Sequence, residues 1–111
     1  MQLGLFDPPA GAASLPDVVL FALGEFQARG HKLADRELAL DRLRYAVDRA
    51  CDTFRVEPPS DKVLAAVLKD AGAKVVEIPN YFAKRPYRVT VTSALASQAL
   101  TVYHQINGKR S

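Results

Sequence analysis

The spacing of apolar residues along this chain switches from helical to strand-like at Gly72 and later switches back, and that change limits the folds open to it. Before Gly72 apolar positions recur every three and four residues. Val19, Ala22, Leu23 and Phe26 stand at i, i+3, i+4 and i+7, one face of a helix. Leu40, Leu43, Val47, Ala50 and Phe54 form a second stripe, and Leu64, Val67, Leu68 and Ala71 a third. After Gly72 the period falls towards two. Val75-Val76-Glu77-Ile78 reads as a short strand, and Tyr87, Val89 and Val91 alternate with Arg88, Thr90 and Thr92 as another. Helical spacing returns with Leu95, Ala99, Val102 and Ile106. The order is helix, helix, helix, strand, loop, strand, helix, an α+β chain that is mostly helical.

Punctuation residues set the expected boundaries. Ser14 is an N-cap with Asp17 at the third helical position, and Gly30 supplies a left-handed stop, so the first helix covers about residues 15–29. Asp35 is the next cap, opening a second helix of roughly twenty residues to about Phe54, with Pro58-Pro59 ending the segment after it. Ser60 opens the third helix and Gly72 closes it. Thr92 or Ser93 caps the last, which ends at Gly108. One domain over residues 15–107 is expected, with 108–111 a frayed tail. Residues 1–14 read as an arm: an apolar pentapeptide, then Asp7-Pro8-Pro9-Ala10-Gly11-Ala12-Ala13, too rich in proline and small residues to pack as an element.

Composition narrows the classes. At 111 residues, 49% hydrophobic and 24% charged, the chain has the balance of one globular domain. Cys51 is the single cysteine, so no intramolecular disulfide and no all-cysteine metal site can form, and its place beside Ala50 suits a buried, inert thiol. No basic segment leads into an apolar signal region. The apolar run Val18–Leu23 is too short to span a bilayer, so a cytoplasmic protein with no membrane partner is expected. His31 and His104 lack metal-ligand spacing, Asp48 and Asp52 sit among Arg44, Arg49 and Arg55, and no glycine-rich phosphate loop is present. The expectation is a binding protein without cofactor or metal, not an enzyme.

Charge is unevenly placed. Residues 1–60 hold seven Lys/Arg against nine Asp/Glu, and residues 61–111 hold eight against three, so the basic excess lies wholly in the second half. In that half a helix ends at Ala71-Gly72, a strand follows directly, and the loop Pro79-Asn80-Tyr81-Phe82-Ala83-Lys84-Arg85-Pro86 leads to a return strand. Over roughly residues 15–106 this order resembles the winged helix-turn-helix superfamily. The resemblance implies that Lys62 and Lys69 face DNA from the third helix, while Lys74, Lys84, Arg85 and Arg88 flank or form the wing. Arg85 and Arg88 suit phosphates or a guanine edge, and Tyr81 and Phe82 suit stacking on unpaired bases. The outer side of the third helix offers Ala65, Ala66 and Asp70, with no Asn, Gln or Arg to read bases, so weak sequence preference is expected. The implied function is a DNA-binding accessory or regulatory protein of bacterial or phage type. Alternatives are a transcription regulator dimerising through the second or last helix, and a module that binds only protein, such as an inhibitor of a replication factor.

Gln2-Leu3-Gly4-Leu5-Phe6 resembles the peptide by which bacterial proteins dock on the replication sliding clamp, with Gly4 where Ser or Asp is commoner. The resemblance implies that Leu5 and Phe6 fill an apolar pocket, that Leu3 adds to the contact, and that the Gln2 amide satisfies polar groups at the rim. The alternative is that Leu3, Leu5 and Phe6 pack on the chain's own domain. A pull-down on the clamp with Leu5→Ala/Phe6→Ala separates the two. The docking reading expects lost capture with an unchanged melting temperature, and a collapsed melting temperature assigns these side chains to the core.

Overall fold

The computed structural model describes residues 14–77 and 87–110. Their elements are α1 (Leu15–Ala28), β1 (Glu37–Ala39), α2 (Leu40–Phe54), α3 (Asp61–Ala71), β2 (Lys74–Glu77), β3 (Tyr87–Thr90) and α4 (Ser93–Arg110). The architecture is α+β and mostly helical, with a three-stranded antiparallel sheet in the order β1-β3-β2. The clamp-like residues Gln2, Leu3, Leu5 and Phe6 lie outside the described residues. So does the stretch from Ile78 to Pro86.

Helix ends follow their local chemistry. Ser14 Oγ accepts from the Asp17 amide and donates to Asp17 Oδ2 at 2.7 Å, a reciprocal cap on α1. At the other end Gly30 takes φ 97°, the Gly30 amide donates to Gln27 O and the His31 amide donates to Phe26 O. This double bond pattern satisfies carbonyls that a helix end leaves bare. Gly72, at φ 113°, repeats the device on α3, with the Ala73 amide donating to Leu68 O. On α2 the left-handed position falls on Arg55, at φ 57°. Ser60 caps α3 through the Val63 amide, and Thr92 caps α4 through the Leu95 amide at 3.1 Å. Helix α4 runs two residues beyond Gly108.

The second helix departs from expectation. It starts at Leu40 and has 15 residues, because Glu37–Ala39 form a strand instead. Asp35 does not cap it. Asp35 has φ 58°, its amide donates to Val91 O at 2.7 Å, and its carboxylate accepts from Ser93 Oγ at 2.6 Å. The physical reason is the free edge of β3, whose backbone groups need partners on both sides. Glu37, Leu38 and Ala39 supply them opposite Thr90, Val89 and Arg88. Ala39 is at once the last residue of β1 and the N-cap of α2, with no side-chain hydrogen bond. The expected pairing after Gly72 is present, Lys74 to Glu77 running opposite Thr90 to Tyr87. Val91 adds an isolated bridge to Ala34 beyond it.

The core gathers around α1. Seven of its residues from Val18 to Phe26 are buried, on nearly every side of the helix, as a central helix requires. Leu43, Val47 and Ala50 meet it from α2, Leu64 and Leu68 from α3, and Leu95, Ala96, Ala99, Val102 and Ile106 from α4. Leu38, Val89 and Val91 close the layer below. Phe21 stacks edge-on to Phe54 at 5.0 Å and lies 5.2 Å from the Tyr103 ring. Gln27 Nε2 donates to Ala96 O at 2.8 Å, a polar pin between α1 and α4.

Gly24 is a point of close approach between those two helices. A β-carbon there would collide with the Tyr103 β-carbon and the Ala99 carbonyl oxygen. Backbone cannot move aside as a flexible side chain does. Gly24→Ala is therefore expected to cost about 2 kcal/mol or more despite alanine's better helix propensity. Thermal melting checks this, and an unchanged or raised midpoint would refute it.

Candidate nucleic-acid interface

Four of the cations expected at the site lie among the described residues, and the fold sorts them into two pairs. Lys62 and Lys69 are seven residues apart on α3, with Ala66 between them, and all three are exposed. Leu64, Ala65 and Leu68 anchor the opposite side of the helix in the core, which fixes the lysines outward. Ala65, expected on the outer side, is 6% exposed and belongs to the core side. The reason is its position one residue after Leu64, where the apolar stripe of this short helix is two residues wide.

The second pair stands on the sheet. Leu38, Val75 and Val89 turn inwards, so their neighbours in sequence turn out. The register places Glu37, Thr90 and Lys74 in one outward row and Ala39, Arg88 and Val76 in the next. Arg88 thus occupies the middle strand of the solvent face, between a small alanine and a valine. Lys74 is its diagonal neighbour on β2. The turn at Gly72 joins the two pairs, since Lys69 lies in the last turn of α3 and Lys74 opens β2. Glu37 is the one acidic side chain on these two rows, and sequence reading missed it because β1 itself was missed.

Acidic groups near α3 are partly engaged elsewhere. Arg44 Nη1 meets Asp61 Oδ1 at 2.9 Å and Arg44 Nε meets Asp48 Oδ1 at 3.2 Å, both from half-buried positions. The second contact is an ion pair without hydrogen-bond alignment, since Asp48 Oδ1 has no hydrogen-bond partner among the described residues. Asp70 stays exposed beside Lys69. Lys62, Lys69, Lys74 and Arg88 take part in none of the three ion pairs between described side chains. Lys84, Arg85, Tyr81 and Phe82 lie outside the described residues.

The other chemically reactive side chains are dispersed. His31 is exposed at the end of α1 and His104 is exposed on α4 beside Tyr103. Among the described residues no group of three His, Cys, Asp or Glu could hold a metal ion. No helix among them is long and apolar enough to cross a membrane. The chain matches no protein-family profile, no curated protein and no solved structure.

Cys51 is fully buried on α2. Burial pushes its thiol pKa up, the nearby Asp48 carboxylate adds to the rise, and Arg44 opposes it. A thiol whose pKa is higher folded than unfolded binds its proton longer in the native state. Its effect on stability is therefore nil at neutral pH and unfavourable once pH passes the unfolded value. The accompanying prediction is a native thiol that resists a disulfide reagent at pH 8 and reacts fully in denaturant. Rapid native labelling would mean that the site opens readily.

Proposed function

We propose that this chain is a nucleic-acid-binding accessory protein of winged-helix type, which holds DNA chiefly through phosphates and reads sequence weakly. The observation that carries this reading is the exposure of Lys62, Lys69, Lys74 and Arg88 on helix α3 and the adjoining strands β2 and β3, with none of them in an ion pair between described side chains. The three-stranded sheet supports it further. A third strand gives the β2–β3 hairpin a firm base beside α3, as a wing that grips a duplex backbone needs. The exposed side of α3 carries lysine, alanine, valine and aspartate, which suits positioning on phosphates over base readout.

In this reading Lys62 and Lys69 lie along one phosphate strand, and Lys74 and Arg88 meet another from the sheet, with Lys84 and Arg85, which stand between β2 and β3 in sequence, adding to it. Tyr81 and Phe82 suit the stacking of unpaired bases. The amino-terminal Gln2, Leu3, Leu5 and Phe6 recruit the sliding clamp, and the linked weak contacts add by avidity. The protein works in the cytoplasm without a cofactor and without catalysis.

The test is a DNA titration at two salt concentrations. Lys74→Ala/Arg88→Ala and Lys62→Ala/Lys69→Ala are each expected to lower affinity about equally on unrelated sequences. Each pair should reduce the slope of log affinity against log salt by about 1.8, since each phosphate contact contributes about 0.9. Unchanged affinity in both variants, or no binding to any DNA at low salt, would sink the proposal.

A further inference from the structure

A second cationic site stands on different elements, and it does not rest on the α3 face. The turn that ends α1 creates it. Once Gly30 has closed the helix, the His31 ring lies on the Phe26 ring with centroids 4.7 Å apart and planes 26° from parallel. This contact joins the two positions that the turn brings together, and it makes the wall of an open groove. The opposite wall is α2. Arg42, Tyr45, Ala46 and Arg49 stand at i, i+3, i+4 and i+7, a stripe that excludes Arg44 and Asp48. Arg29, the C-cap of α1, completes the rim. The groove has a volume of about 340 Å³, inside the range of small-molecule sites.

Its chemistry is selective. The lining carries three guanidinium groups and an imidazole, and no carboxylate. Arg49 Nη2 donates to Glu25 Oε1 on α1 at 3.5 Å, while Arg29 and Arg42 join no ion pair between described side chains. Like charges drawn around one hollow repel until an anion sits among them. Guanidinium forks match phosphate oxygens two at a time. Beside them Tyr45 is 79% exposed, the most exposed large apolar side chain among the described residues. An aromatic ring left in water next to an arginine cluster is a platform for a planar base.

We propose that this groove binds a nucleotide, its phosphate held by Arg29, Arg42 and Arg49 and its base stacked on Tyr45. The nucleotide comes either free or as one unit of a single strand, and the two sources share this chemistry. In the sequence Arg42, Tyr45 and Arg49 stand off the apolar stripe Leu40, Leu43, Val47, Ala50 and Phe54, and nothing local joins them to α1. The fold adds Arg29 and His31 by turning the chain back at Gly30.

Calorimetric titration of the full chain tests the site with four probes: adenosine monophosphate, adenosine, inorganic phosphate and a twelve-nucleotide adenine strand. Saturable binding of the monophosphate, tighter than adenosine or phosphate alone, is expected. Arg29→Ala/Arg42→Ala should weaken it by about tenfold to a hundredfold, and Tyr45→Ala by about tenfold. All three side chains are exposed, so circular dichroism melts of the variants should match the parent. Binding of the strand alone, weakened by the same variants, also supports the site and makes a polynucleotide its source. The proposal is overturned by three results: no saturable binding of monophosphate or strand, equal affinity for phosphate and monophosphate with Tyr45→Ala silent, or binding that ignores both variants. Lys74→Ala/Arg88→Ala should leave monophosphate affinity unchanged, so failure of the groove and failure of the duplex-binding face are separately visible.

Discussion

Two helices can lie backbone to backbone only where nothing larger than hydrogen stands between them, and the crossing of α1 and α4 at Gly24 is such a place. Most of the structure takes its position from it. Close approach lets Ala96 and Ala99, which have little side chain to offer, fill the contact with backbone and methyl groups. It brings Gln27 within reach of Ala96 O and sets Tyr103 against Phe21. Phe21 in turn meets Phe54 at the end of α2, so one tight crossing orients three helices. A larger side chain at position 24 would push α4 outward and open a gap beneath the sheet, where Leu95 and Val91 now close the core.

Much of this was legible along the chain because the controlling interactions are local. Ser14, Ser60 and Thr92 act as caps through bonds to amides three residues away, and Gly30 and Gly72 stop their helices by a backbone conformation that side chains disfavour. The helical faces were readable for the same reason, since burial repeats with the turn of the helix. What could not be read was β1. Three residues hold too few apolar positions to show a period of two, and Leu38 fits a helical stripe as well as a strand. Its conformation is decided by β3, some fifty residues away, through backbone groups that carry no sequence signature. Asp35 was misread on the same account. Asp commonly caps helices, yet here the residue turns the chain to meet Val91 and Ser93.

The sites show the same division. Lys62 and Lys69 share a face by helical spacing alone, so their pairing needed no fold. That Arg88 sits between Ala39 and Val76 on an open sheet face depends on a register spanning three strands. Arg44 illustrates the opposite case. Its (i, i+4) partner Asp48 was visible in sequence, whereas its shorter contact, to Asp61 on the next helix, was not. By engaging Asp61, Arg44 offsets a negative charge at the start of α3 that would otherwise oppose an anionic partner. The basic character of the second half of the chain is thus partly the work of an arginine from the first.

The passage from β1 into α2 contains no loop. Ala39 ends the strand and begins the helix, so no residue between them can absorb a change of direction. Strand and helix are therefore joined directly, the strand hydrogen-bonded to β3 and the helix carrying the stripe from Arg42 to Arg49. The omitted spacer fixes where that stripe begins relative to the sheet, three residues beyond the last paired position of β1.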